Sequence, residues 1–173
     1  MEFDQEKAIE ILSRTPAVLR GLLEGLSDEW SRGESKEDSW NPYDVIGHYI
    51  HGEKTDWIPR AKIILAQGDS VGFVTFDRLA QFEDSKGKSL DSLLEEFSRL
   101  RIENLHTLRS MSLTDDQMDM KGMHPELGEV TLRQLLSTWV VHDLTHIRQI
   151  VTVLAGRYSE NVGPWREYLS ILK

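Results

Sequence analysis

The sequence contains no cysteine. That absence removes disulfides, thiolate zinc sites, iron–sulfur clusters and cysteine nucleophiles together. Any bound transition metal must then be held by histidine and carboxylate. Basic runs are missing too: 20 Lys and Arg stand against 29 Asp and Glu, a formal charge of −9, and no run exceeds isolated pairs. Proteins that neutralise many phosphates concentrate positive charge, so nucleic acid is not expected as a partner. No stretch approaches the roughly 18 consecutive apolar residues of a membrane span, and no membrane partner is expected either. The start, Met1-Glu2-Phe3-Asp4-Gln5-Glu6, is acidic and has neither the basic beginning nor the apolar centre of a signal peptide. The expected location is cytoplasmic.

What remains is a 173-residue chain, 39% apolar and 28% charged. It reads as a soluble globular protein, long enough to bury a core without metal or disulfide staples. Residues 1–173 are expected to form one domain.

The dominant period is helical. Ala8, Ile9 and Leu12 begin an apolar stripe that Val18, Leu19, Leu22, Leu23 and Leu26 continue. Pro16 interrupts it, so a short first helix should restart with Thr15 as N-cap. Ser31 to Ser39 is polar and reads as a loop. Asn41-Pro42-Tyr43-Asp44 is a clean helix start, and that helix should run to about Gln67 with a bend near Pro59. Gly68 to Lys88 holds three glycines, a short helical turn from Phe76 to Phe82 and a charged linker. Ser89 caps a third helix bearing Leu90, Leu93, Leu94, Phe97, Leu100 and Leu108. After a polar, turn-rich stretch, Thr131-Leu132-Arg133-Gln134 forms a capping box for a fourth helix that should stop near Gly156. Pro164 to Leu172 reads as a last short helix offering Trp165, Leu169 and Leu172. No segment shows strand alternation. The expected fold is all-α, a four-helix bundle with short accessory helices.

One set of residues looks like chemistry. His142 and His146 are four apart, so their rings project from one helix face, as two ligands of a single metal ion must. The stripe Leu132, Leu135, Leu136, Trp139 continues to 142, 143 and 146, which turns both imidazoles into the bundle. Core histidines often only hydrogen-bond to a neighbour, and six histidines produce such a spacing by chance often enough. Two imidazoles side by side in a core are nevertheless costly unless something bridges them. A third ligand should come from another helix, with His48, His51, His106 and His124 as candidates. Spacing does not choose between His48 and His51.

Three motifs carry a family resemblance. Trp40-Asn41-Pro42-Tyr43-Asp44-Val45-Ile46-Gly47-His48 resembles the second-helix signature of the DinB family. Gly128 to Leu136, followed by His142-Asp143-Leu144-Thr145-His146-Ile147-Arg148-Gln149-Ile150, resembles its fourth-helix signature, and Gly163-Pro164-Trp165 with Tyr168 and Leu169 is similar to its ending. The likeness runs from about Thr15 to Leu172.

The resemblance implies a four-helix bundle binding one divalent metal through three histidines: His48, His142 and His146. Zinc is the first expectation for the ion, with nickel, iron and manganese also suited to imidazole. Asp44, Asp143 and Gln149 are placed to orient the rings or touch substrate, while Trp57, Trp139 and His51 are expected to line the pocket. Relatives include thiol-dependent S-transferases and metal-dependent hydrolases. The leading expectation is therefore transfer of a small-molecule thiol to an electrophile. The alternatives are hydrolysis of a substrate by a metal-activated water, or a non-catalytic metal-containing stress-response protein. Family members are often dimers, so the resemblance makes a homodimer possible, while helices that pack within a chain and between chains read alike in sequence.

Overall fold

The computed structural model describes residues 2–33 and 40–173. Its helix boundaries follow local chemistry. The Asp4 carboxylate accepts from Lys7 N and opens α1 (Gln5–Leu12). The chain breaks at Ser13 and Arg14 and restarts as α2 (Thr15–Leu23), because Pro16 has no N–H for the preceding turn. Thr15 is the first helical residue and not the cap expected of it: its hydroxyl donates to Asp143 Oδ2 at 2.5 Å and is spent in the core. Ser31 ends a single turn, α3 (Asp28–Ser31). Residues 34–39 of the expected loop lie outside the described residues.

Asn41 and Asp44 exchange side-chain and backbone hydrogen bonds in a capping box that starts α4 (Pro42–Thr55). The expected bend falls at Asp56, three residues before Pro59, and α5 (Trp57–Gln67) begins immediately after it. The proline ring obstructs the carbonyl four residues earlier, so the distortion appears upstream, and Pro59 itself sits harmlessly in the first turn of α5. Then come α6 (Ala80–Ser85), α7 (Leu90–Ser110, capped by Ser89) and the single turn α8 (Asp115–Met118).

Strands are present after all. β1 (Lys121–His124) pairs antiparallel with β2 (Gly128–Thr131), with Lys121 opposite Thr131 and His124 opposite Gly128. Four residues per strand are too few for alternation to register in sequence. Gly122 fits where a side chain would not: a Cβ there would lie 2.7 Å from Ile64 Cγ1 and 2.9 Å from Phe73 Cζ. Thr131 and Gln134 then cap the longest helix, α9 (Leu132–Gly156). The expected last helix is two 3₁₀ turns, Gly163–Tyr168 and Ser170–Leu172, with no buried residue; Trp165 is 71% exposed. Turns with three residues per repeat bring i and i+3 into line and give no apolar face for the core to hold.

The bundle consists of four rods, two of them broken: α1 with α2, α4 with α5, α7, and α9. Its core is two apolar clusters. One gathers Leu12, Trp57, Ile64, Leu105, Leu108 and Trp139; the other gathers Leu19, Tyr49, Ile50, Phe97 and Ile150. Between them runs a buried polar layer. Arg101 Nη1 reaches Asp143 Oδ2 at 2.6 Å, and Arg101 Nη2 reaches Glu53 Oε1 at 2.8 Å. Arg101 also donates to Leu12 O, Asn104 to Glu53 and Trp139 Nε1 to Glu53 Oε1. Every carboxylate oxygen of the layer has a donor, which is what allows charge to sit at this depth. Among the described residues, no helix is long and apolar enough to cross a membrane.

Candidate metal centre

His142 and His146 are one turn apart on α9, and their ring centroids lie 4.3 Å apart at 68°. The cap at Thr131 fixes where α9 begins, and the apolar positions Leu132, Leu136 and Trp139 fix how it is rotated. His48, on α4, meets them from the facing helix. Its Nε2 lies 3.0 Å from His142 Nε2, and its ring centroid lies 4.6 Å from that of His146. One nitrogen from each ring falls within 4.8 Å of the other two, the only such group of three potential ligands among the described residues.

Burial sets the electrostatics. Desolvation lowers the His48 pKa to about 4, with the neighbouring His146 adding to the effect. His142 is lowered further, to about 2, by burial and then by His146 and His48. His146 is also held below the ordinary value by burial, opposed by its hydrogen bond to Gln149 and by the charge of Asp143. All three rings are neutral near pH 7 and keep lone pairs for a ligand.

Two of the three rings are held from behind by a glutamine. His146 Nδ1 lies 2.7 Å from Gln149 Oε1, and His48 Nδ1 lies 3.1 Å from Gln81 Oε1. An amide oxygen only accepts, so each Nδ1 carries its proton and each Nε2 is bare. His142 Nδ1 is buried with no hydrogen-bond partner among the described residues. Converging bare ring nitrogens repel one another unless a proton or a cation lies between them. The donor set therefore fits a borderline divalent ion such as zinc, nickel, iron or manganese.

The other expected site residues take varied places. Asp44 spends its carboxylate on the α4 cap, and burial raises its pKa; it does not reach His48. Asp143, next in chain to His142, points the opposite way into Arg101 and Thr15. Trp57 faces the cluster, its ring 5.0 Å from His142, whereas Trp139 is stacked behind Trp57 and fully buried. His51 stands beside the cluster, 4.7 Å from the Phe76 ring and 4.0 Å from Asp84 Oδ2. His106 is exposed, and His124 Nδ1 accepts from Glu126 N and Leu127 N in the hairpin turn.

Tyr49 of α4, its ring 5.7 Å from that of His146, escaped sequence reasoning, as did three other neighbours. Gln81 comes from α6, Phe76 from the segment before it (5.3 Å from His48), and Trp40 from the residue before the α4 cap (4.8 Å from His48 and stacked 6.3 Å from His146). Trp40 stood inside a recognisable motif and could have been found there. Gln81 and Phe76 carry no spacing signal.

The sequence model of the DinB superfamily matches residues 11–150. YfiT of Bacillus subtilis (strain 168) is 26% identical over 150 residues, covering 84% of this chain and 82% of that protein. The solved structure of YfiT superposes with a TM-score of 0.74 at 24% identity, covering 88% of this chain and 91% of that one. YfiT is described there as a probable metal-dependent hydrolase with an unusual four-helix bundle topology.

Proposed function

The chain belongs to the DinB superfamily, and from that premise we propose that it is a metal-dependent enzyme whose ion is held by His48, His142 and His146. Its reaction, in this reading, moves a small-molecule thiol onto an electrophile. Bound there, a dication would supply one thing, a lowered pKa for a thiol or water brought to it. The chain's own residues do the rest. Burial keeps the three rings deprotonated at neutral pH, and Gln81 and Gln149 aim two of them. Trp40, Phe76, Tyr49 and Trp57 surround the rings with aromatic surface, which keeps bulk water off and suits a soft sulfur atom.

The observation that carries the choice of thiol is a carboxylate inventory. Asp44 and Asp143, the acidic residues nearest the ligands in sequence, are committed to a helix cap and to Arg101. Among the described residues, no carboxylate hydrogen-bonds to any of the three rings. A metal-bound water works with a group that takes its second proton or hands one to the leaving group, whereas a thiol would release its single proton to solvent on binding and attack as thiolate without a relay. The second reading, hydrolysis, is favoured by the description of YfiT.

The test begins with tag-free protein. It should contain close to one divalent ion per chain, and His142→Ala or His146→Ala should lose it. Metal-loaded protein should then consume a cellular thiol together with a chloronitroarene. Metal retained in both variants would remove the site; cleavage of an ester or amide panel with no thiol consumed would move the assignment to a hydrolase.

A further inference from the structure

The helix α6 is built the wrong way round for a packing element. Its buried residues are both polar, Gln81 and Ser85, while the neighbouring apolar Leu79 and Phe82 are exposed. Gln81 is only 1% exposed, and its Nε2 has no hydrogen-bond partner among the described residues. Burying an amide with half its capacity unused is unfavourable, and a leucine there would avoid the cost. What the amide does make is one contact, Oε1 to His48 Nδ1 at 3.1 Å.

The placement of α6 serves that contact. The Asp77 carboxylate accepts from Leu79 N and Ala80 N at its start, and the Tyr43 hydroxyl on α4 donates to Ser85 O at its end. Between these anchors α6 lies close on α4 at Gly47, the residue before His48. A Cβ there would come 2.5 Å from Ser85 Oγ and 3.4 Å from Gln81 O.

We propose that Gln81 is a positioning residue of the metal centre: it holds the His48 proton on Nδ1, so that the bare Nε2 faces His142 and His146. The inference rests on the three-histidine reading above. With the proton on the other nitrogen, His48 would present an N–H to its partners and could not act as a ligand. Gln149 does the same for His146 from within the same helix, but the partner of His48 has to be brought by a separate element, and that is the role of α6.

Two variants separate this role from packing. Gln81→Leu keeps the bulk and removes the acceptor; Gln81→Glu keeps the acceptor and changes the rest. In metal-free protein, ring ¹⁵N shifts should show His48 protonated on Nδ1 in the parent and in Gln81→Glu, with the preference lost in Gln81→Leu. Zinc affinity, read by competition with a chromogenic chelator, should fall about 10–100-fold in Gln81→Leu and be kept or raised in Gln81→Glu. Circular dichroism should report equal helix content, and Gln81→Met replaces Gln81→Leu if the latter does not fold. An unchanged tautomer and affinity in Gln81→Leu overturns the proposal, as does an equal loss in both variants. Should the parent bind no zinc, the three-histidine reading fails, while the ¹⁵N shifts still decide whether Gln81 sets the tautomer.

Discussion

His48 and His142, 94 residues apart, face each other nitrogen to nitrogen at 3.0 Å. Both rings are held neutral by burial, His48 at about 4 and His142 at about 2, against an ordinary value of 6.5. Below about pH 6.5 the unfolded chain therefore binds protons that the folded chain refuses. By linkage the contribution of these rings is fully present above that pH and is lost as pH falls toward the folded values. In chelator-treated protein the loss should be on the order of 2 kcal/mol per ring by about pH 5. Urea unfolding at several pH values measures it. A free energy that stays flat across this range would mean that the rings are not buried as neutral groups.

The ion layer makes a different prediction. Among the described residues, Arg101 is the sole cation between Glu53 and Asp143 in that layer, and all three are buried. Burial pushes the Glu53 carboxyl up while Arg101 pulls it back down. Arg101→Met leaves two buried carboxylates without their counter-charge and should cost about 3–5 kcal/mol. Adding Glu53→Gln to Arg101→Met should recover part of that, since one of the stranded charges is then gone. Denaturation of both variants tests the pairing; equal stability of Arg101→Met and the parent protein would show that the layer contributes nothing.

Gly122 tests how tightly the hairpin is seated. A methyl group there collides with Ile64 and Phe73, both core side chains with little room to retreat. Gly122→Ala should destabilise by roughly 1–3 kcal/mol through overpacking. The thermal midpoint should drop accordingly, and a midpoint at or above that of the parent would show that the hairpin shifts freely on α5.

Much of the fold was legible in advance because helix starts are local events. The Asn41 and Ser89 caps and the Thr131 capping box were all readable, since each involves residues within four positions. The features that were missed depend on longer-range influence. The bend expected near Pro59 falls at Asp56, but the hairpin is held by Phe73 N donating to Met123 O, a contact that local pattern does not encode. Of the site, the pair on α9 could be read from spacing. Gln81 could not, since a glutamine in an irregular stretch has no signature until α6 is laid against His48.

Residue inventory and helical periodicity set the chemistry available and the class of fold. Without cysteine, imidazole and carboxylate are the ligands left for a transition metal, and helical periodicity sets His142 and His146 on one face. Tertiary structure decided which residues meet them. His48 faces the pair, while His51, three residues later, is turned toward Phe76 and Asp84. Asp44 and Asp143, near the ligands in the chain, are drawn off by a helix cap and a guanidinium. The reason is geometric. Covalent spacing fixes which side chains share a helix face, but only the packing of α4, α6 and α9 fixes what that face confronts.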